Sequence, residues 1–184
     1  MSDDLFETRL LEDTLVGFQQ PLRVQPETEP ALTHPGGWLD RAILTRLLSK
    51  LFDYAKAHNL CFSVASVELM SQIKSPEEAR KISIVASNLF RSQLRESDTL
   101  LQYGLKTMCI ILPHADQKRG QKVLARLRGA AAKTAMIGAH DEAVEPVFGL
   151  SSDFSGPQSP GENVLAHAEL SLKRAVELYL LQPR

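Results

Sequence analysis

The chain is short of several things, and each shortage closes off a class of function. It has two cysteines in 184 residues, Cys61 and Cys109. Two are too few for a disulfide framework, and the pair alone makes no metal site. Both sit in apolar, strand-like runs, so both are expected to be buried free thiols. Neither sign of charge is in excess, with 21 basic against 22 acidic residues. Bulk electrostatics therefore favour neither nucleic acid nor a membrane surface, and an anionic ligand needs a local cluster of cations. No apolar run approaches the ~20 residues that span a bilayer. The opening Met1-Ser2-Asp3-Asp4 is acidic and lacks the apolar stretch of a signal peptide. The expectation is a cytoplasmic protein without membrane insertion.

Other absences are local. The five histidines (His34, His58, His114, His140 and His167) show no metal-ligand spacing. Ser151-Ser152-Asp153 with His167 has no nucleophile-elbow context, which sets a hydrolase aside. Neither an internal repeat nor a low-complexity run is present. The basic stretch Lys118, Arg119, Lys122, Arg126, Arg128 and Lys133 lacks interleaved aromatics, so it reads as a solvated helix face and not a nucleic-acid surface.

What is present is a chain 43% hydrophobic, enough for one core with room for an extension. Residues 3–18 carry a helical stripe of Leu5, Phe6, Leu10, Leu11, Leu15, Val16 and Phe18, with acids at its start. Pro21, Pro26, Pro30 and Pro35 then exclude regular helix over 19–36. Residues 1–36 thus form a helical and proline-rich arm, and 37–184 a folded domain. The domain opens with a helix over 38–58, then a strand over Cys61–Leu69. Ser75-Pro76-Glu77-Glu78 starts a helix to about Leu94, facing inward with Ile82, Val85, Ala86, Leu89 and Phe90. Strands over 99–103 and 108–112 form a hairpin. A helix over 115–133, a strand over 144–151, a loop at Gly156–Gly161 and a helix over 162–181 complete the order. Helices between strands, with one hairpin, give an α/β (α+β) sandwich: a central, mostly antiparallel sheet flanked by helices.

The hairpin is the most telling stretch. It contains Arg95-Glu96-Ser97-Asp98, then Tyr103-Gly104-Leu105-Lys106-Thr107-Met108, then Ile110-Ile111-Leu112-Pro113. Elsewhere stand Gly37-Trp38-Leu39-Asp40-Arg41, Val85-Ala86 with Leu89, Ala125-Arg126-Leu127-Arg128, Phe148-Gly149 and Ala168-Glu169-Leu170-Ser171-Leu172. In this order and spacing they resemble GGDEF (diguanylate cyclase) domains across about residues 37–176. That resemblance implies the GGDEF/nucleotidyl-cyclase-like fold.

The resemblance also marks departures. Active members hold divalent metal on one carboxylate from the first strand and another from the signature. The signature here reads Gly104-Leu105-Lys106-Thr107-Met108, with Lys106 and Thr107 at the acidic positions. Lys106 puts a positive charge where metal would sit, and Leu105 adds bulk where glycine lets phosphate approach. Glu68 can occupy an acidic position on the first strand, but Met70 and Gln72 replace the pattern that follows it. The guanine-reading loop is missing, since Lys74-Ser75-Pro76 runs straight into the next helix, and Val176 replaces the phosphate-binding lysine. The resemblance therefore implies no metal, no cofactor and no cyclase activity; residual activity would need a metal site that Glu68 alone cannot build.

What the resemblance leaves intact is the product site. R-x-x-D with an arginine from the next helix binds cyclic di-GMP in the family, and those positions are Arg95, Asp98 and Arg126. Guanidinium groups fork onto phosphate and guanine O6/N7, and a carboxylate accepts from guanine N1–H and N2–H. The bland reading of Arg95 and Asp98 is a surface i,i+3 ion pair. The implied function is a catalytically inactive cyclic di-GMP receptor that relays the messenger to a protein partner. The alternative is a nucleotide-independent interaction module using residues 1–36. That arm either folds back on the domain, pairs two copies as a homodimer, or enters a partner's groove.

Overall fold

The computed structural model describes residues 3–19, 38–71, 75–134, 136 and 143–181. The proline-rich stretch over 20–37 and the junction at Gln72 and Lys74 lie outside the described residues. The elements are α1 (Asp3–Gln19), α2 (Arg41–Ala57), β1 (Phe62–Met70), α3 (Pro76–Gln93), β2 (Thr99–Gln102), β3 (Thr107–Pro113), α4 (Gln117–Thr134), β4 (Glu145–Ser151) and α5 (Pro160–Leu180).

The four strands form one sheet in the order β2-β3-β1-β4, and every pairing is antiparallel. Central β1 is buried along most of its length because helices cover both faces. Alternation sorts its side chains. Ala65, Val67 and Leu69 join Met108, Ile110, Leu112, Phe148 and Leu150 beneath α3 and α4. Phe62 and Val64 join Cys109 and Ile111 beneath α2 and α5. The expected α+β sandwich is the observed one.

The helix starts follow cap chemistry. Asp40 Oδ1 accepts from Ala42 N–H at 2.6 Å and opens α2. Ser75 Oγ accepts from Glu78 N–H at 3.2 Å, with Pro76 at the first position of α3. The same serine-proline device at Ser159-Pro160 opens α5, two residues before the expected start at 162. These two residues are a helix start, not the end of a loop. Asp116 Oδ1 accepts from Arg119 N–H at 2.7 Å, so α4 begins at Gln117 and not at Ala115.

Two burial expectations fail. Cys61 is exposed, because β1 begins one residue later and only Cys61's carbonyl is engaged, by His114 N–H at 2.8 Å. Val85 is 52% exposed, because the buried stripe of α3 centres on Ala79, Ile82, Ala86 and Phe90 and leaves Val85 beyond its margin.

Close packing of α5 on β4 depends on Gly149. A Cβ there would collide with the Ala168 carbonyl and the Leu172 backbone. The N-terminal helix is also seated. Leu10 is 4% exposed, Leu11 and Leu15 pack on the α2/α5 cluster, and Thr14 Oγ1 donates to the Leu10 carbonyl at 2.8 Å. Leu10, Leu11 and Leu15 of α1 thus fold back on the domain, whereas Val16 of the same stripe is exposed. Among the described residues, no helix is long and apolar enough to cross a membrane.

Candidate ligand site

Two corners of the sheet carry the sequence-marked residues, one at each end of the short strand β2. The first lies where α3 hands over to β2. The helix closes at Leu94, whose N–H reaches the carbonyls of Phe90 and Arg91. The chain then turns within Arg95–Asp98. Asp98 Oδ2 accepts from Arg95 N–H at 2.9 Å, and Asp98 N–H returns to the Arg95 carbonyl at 3.0 Å. This local closure is a frequent aspartate device and delivers Thr99 into the sheet.

Asp98 bonds to the backbone of Arg95, not to its side chain. The i,i+3 ion pair of the bland reading is not made. Arg95 and Arg126 are both exposed, and among the described residues neither guanidinium makes a hydrogen bond or an ion pair. Burial pushes the Asp98 carboxyl up from its ordinary range. The Arg95 N–H and the charges of Arg95 and Arg126 pull the other way. Arg126 on α4 is therefore near enough to act on Asp98, and the three residues come together across the α3–α4 packing.

Two other arginines on α4 are already engaged. Arg128 lies 5.3 Å from the Phe148 ring centroid, and Arg119 donates to the His114 carbonyl at 3.1 Å. Arg126 stands between them with its guanidinium uncommitted.

The second corner is the β2–β3 turn. Register places Glu68 of β1 opposite Thr107 of β3. These two positions are thus true neighbours, and they hold one acid and one threonine. Lys106 completes the corner, its Nζ donating to the Ser71 carbonyl at 3.1 Å. One carboxylate with a threonine opposite it is a poor donor set for a divalent cation, which takes several oxygen ligands. Among the described residues, no group of three or more His, Cys, Asp or Glu comes together as a metal cage.

The turn is tied down from three sides. Ser83 Oγ on α3 donates to the Leu105 carbonyl at 2.8 Å. Gln102 Nε2 donates to the Gly104 carbonyl at 3.0 Å, and Leu69 N–H to the Lys106 carbonyl at 3.0 Å. A Cβ at Gly104 would meet Thr107 Oγ1, so that hydroxyl would have to turn away to admit one. Leu105 is partly exposed, and Met108 is buried in the α3/α4 core.

Sequence reasoning missed a polar clamp between α2 and α5. Arg41 pairs with Glu162 at 2.9 Å and with Glu169 at 2.8 Å. Tyr103 OH lies 3.2 Å from Ser66 Oγ and 3.4 Å from Glu169 Oε1. Burial raises the Tyr103 hydroxyl's pKa above its ordinary value. Only long-range pairs form this clamp, so no local spacing announces it.

No family model matches the sequence, and no curated protein matches it. Solved structures do match its fold. The active GGEEF domain of a diguanylate cyclase from Vibrio cholerae superposes with a TM-score of 0.63 at 16% identity, over 76% of this chain and 91% of that one. The GGDEF domain of DgcB from Caulobacter crescentus, solved in complex with c-di-GMP, gives 0.62 at 11% identity, over 83% and 94%. Diguanylate cyclase SiaD from Pseudomonas aeruginosa, solved with its activator SiaC, gives 0.63 at 14% identity, over 93% of this chain and 64% of that one. Coverage of 93% exceeds the share held by residues 37–184, so the SiaD match reaches into the N-terminal arm. Identities this low carry the architecture alone: the chain has the fold of GGDEF diguanylate cyclase domains.

Proposed function

We propose that this protein is a catalytically inactive GGDEF-like domain that binds cyclic di-GMP and relays it to a protein partner. The observation that carries the reading is the first corner: two guanidinium groups that, among the described residues, make no hydrogen bond or ion pair, beside a half-buried carboxylate. Such an arrangement suits an anionic guanine nucleotide. Arg95 and Arg126 fork onto phosphate oxygens or the guanine O6/N7 edge. Asp98 spends Oδ2 on the Arg95 N–H and keeps acceptor capacity for guanine N1–H and N2–H. The c-di-GMP complex of the DgcB domain supports the choice of ligand.

Loss of catalysis rests on the second corner. Lys106 supplies a cation from within the chain where metal-binding acids would be needed, and its ammonium is held on Ser71. The relay rests on the SiaD–SiaC complex, a neighbour of the same fold that works with a protein partner. Leu10, Leu11 and Leu15 of α1 are taken up by the domain, which favours the domain surface for a partner.

Titration calorimetry with cyclic di-GMP tests the receptor reading. Saturable binding at micromolar ligand, lost in Arg95→Ala, supports it. An absence of heat at tens of micromolar, or full binding by Arg95→Ala, refutes it. Incubation with GTP and magnesium tests the inactivity, and any cyclic di-GMP formed refutes that half.

A further inference from the structure

A cavity of about 330 Å³ opens at the β4 edge, between the start of α4 and the middle of α5. It is separate from both corners of β2, because β4 stands at the opposite edge of the sheet. Its volume lies at the small end of the range for small-molecule sites. Leu150 and Leu170 supply apolar lining, and Leu170 is 47% exposed.

Three of the polar lining residues are donors with spare capacity. Arg174 lines the cavity and, among the described residues, makes no hydrogen bond or ion pair. Ser171 Oγ accepts from Leu150 N–H at 3.4 Å, which leaves its O–H to donate. Gln117 Oε1 accepts from Ser152 Oγ at 3.2 Å, which leaves its NH₂ to donate. Gln117 is also the first residue of α4, where the helix dipole favours an anion.

One carboxylate, Asp153, is itself part of the lining and is engaged by local donors; Asp116 stands near it. Asp153 accepts from Ser155 N–H at 2.9 Å and Ser155 Oγ at 2.6 Å, and pairs with His167 at 3.6 Å. Asp116 caps the Arg119 N–H. The serines are not poised as nucleophiles: Ser152 donates to Gln117, and Ser151 is bonded to Asp153. Hydrolysis is thus disfavoured, and binding is what the lining can do.

We infer that this cavity binds a small phosphate monoester, with Arg174 as the anchoring cation and Ser171 and Gln117 as neutral donors. Leu150 and Leu170 pack against the ligand's body. The site is independent of the cyclic di-GMP reading, since it shares no residue with Arg95, Asp98 or Arg126.

The test is a heteronuclear NMR titration of the full chain with inorganic phosphate, adenosine 5′-monophosphate (which lacks the guanine edge that Asp98 would read) and acetate. The monophosphate is expected to saturate with a Kd on the order of 0.1–1 mM, and shifts should centre on Ser171, Arg174 and Gln117. Phosphate should bind more weakly, for want of a body, and acetate weakest. Arg174→Met should weaken the monophosphate roughly tenfold or more, and Arg174→Lys by less. Arg95→Ala should leave it unchanged. If Arg174→Met does not fold, Ser171→Ala reads the same contact. The inference is overturned by no saturable shift with the monophosphate, by acetate binding as tightly as phosphate, or by undiminished binding in the Arg174 and Ser171 variants. Equal loss in Arg95→Ala also overturns it, because that would place the ligand at the other corner.

Discussion

The two ends of β2 use cations in opposite ways. At the turn end, Lys106 is spent inside the molecule, its ammonium held by the Ser71 carbonyl. At the helix end, Arg95 and Arg126 are spent on nothing among the described residues. The strand between them has four residues and spans roughly 13 Å, so both corners share one scaffold. A satisfied cation contributes to the fold, whereas an unsatisfied one beside a half-buried carboxylate is available to a ligand. The proposed function, catalysis lost and ligand binding kept, rests on this contrast between corners a strand's length apart.

The comparison breaks most visibly at the helix end. Arg95→Ala and Arg126→Ala should each weaken cyclic di-GMP by roughly 10- to 100-fold, the worth of charge-assisted hydrogen bonds. Neither change should move the melting temperature by more than about 2 °C, because neither guanidinium makes a hydrogen bond or ion pair among the described residues. Calorimetry and thermal melts on the same samples read the two effects separately. A large drop in melting temperature with either variant would mean that these arginines hold the fold after all.

Lys106→Met should do the reverse. It removes the donor to Ser71 and leaves a carbonyl to find water, at a cost of about 1–2 kcal/mol in denaturant melts. Cyclic di-GMP affinity should stay within a factor of about two, since the turn lies a strand away from the ligand corner. Lys106→Glu should cost more stability, because its carboxylate would face the same carbonyl.

How much of this was legible in the sequence depends on whether the signal was local. Serine-proline pairs, the hairpin spacing and the alternation of β1 are local, and they give the element order and the antiparallel sheet directly. Val85 and Cys61 were misjudged because a helical stripe's margin and a strand's first residue depend on neighbours outside the window. Ser159-Pro160 misled because the same residues serve a turn or a helix start, and only tertiary packing of α5 decides. For the ligand corner, sequence spacing supplies Arg95 and Asp98, and resemblance supplies Arg126. That Asp98 bonds the backbone and frees Arg95 could be seen only in the fold. The α2–α5 clamp and the β4-edge cavity join residues far apart in sequence, so no motif predicts them.

Asp98→Asn sharpens the contrast with a smaller effect. Asparagine can still accept from the Arg95 N–H, so the turn into β2 should survive. It loses the charge that guanine N1–H prefers, so cyclic di-GMP should weaken about 5- to 20-fold, less than for the arginine variants.

The smallest effect is a pH slope on stability, and its sign is set by burial. The Asp98 pKa is raised in the fold, chiefly by desolvation, so the folded state holds its proton to higher pH than the unfolded chain does. Stability from this group is fully present below the unfolded aspartate range and is lost as pH rises through the higher folded value. Asp98→Asn has no such proton. The stability of the wild type relative to the variant should therefore fall as pH rises through that window, then level off. Cyclic di-GMP binding should run the other way in the same window, strengthening as the carboxylate forms. Denaturant melts of both proteins across the acid range, paired with titrations at each pH, read both slopes. A difference that is flat with pH, or that rises, would mean Asp98 is not the desolvated acceptor at this corner.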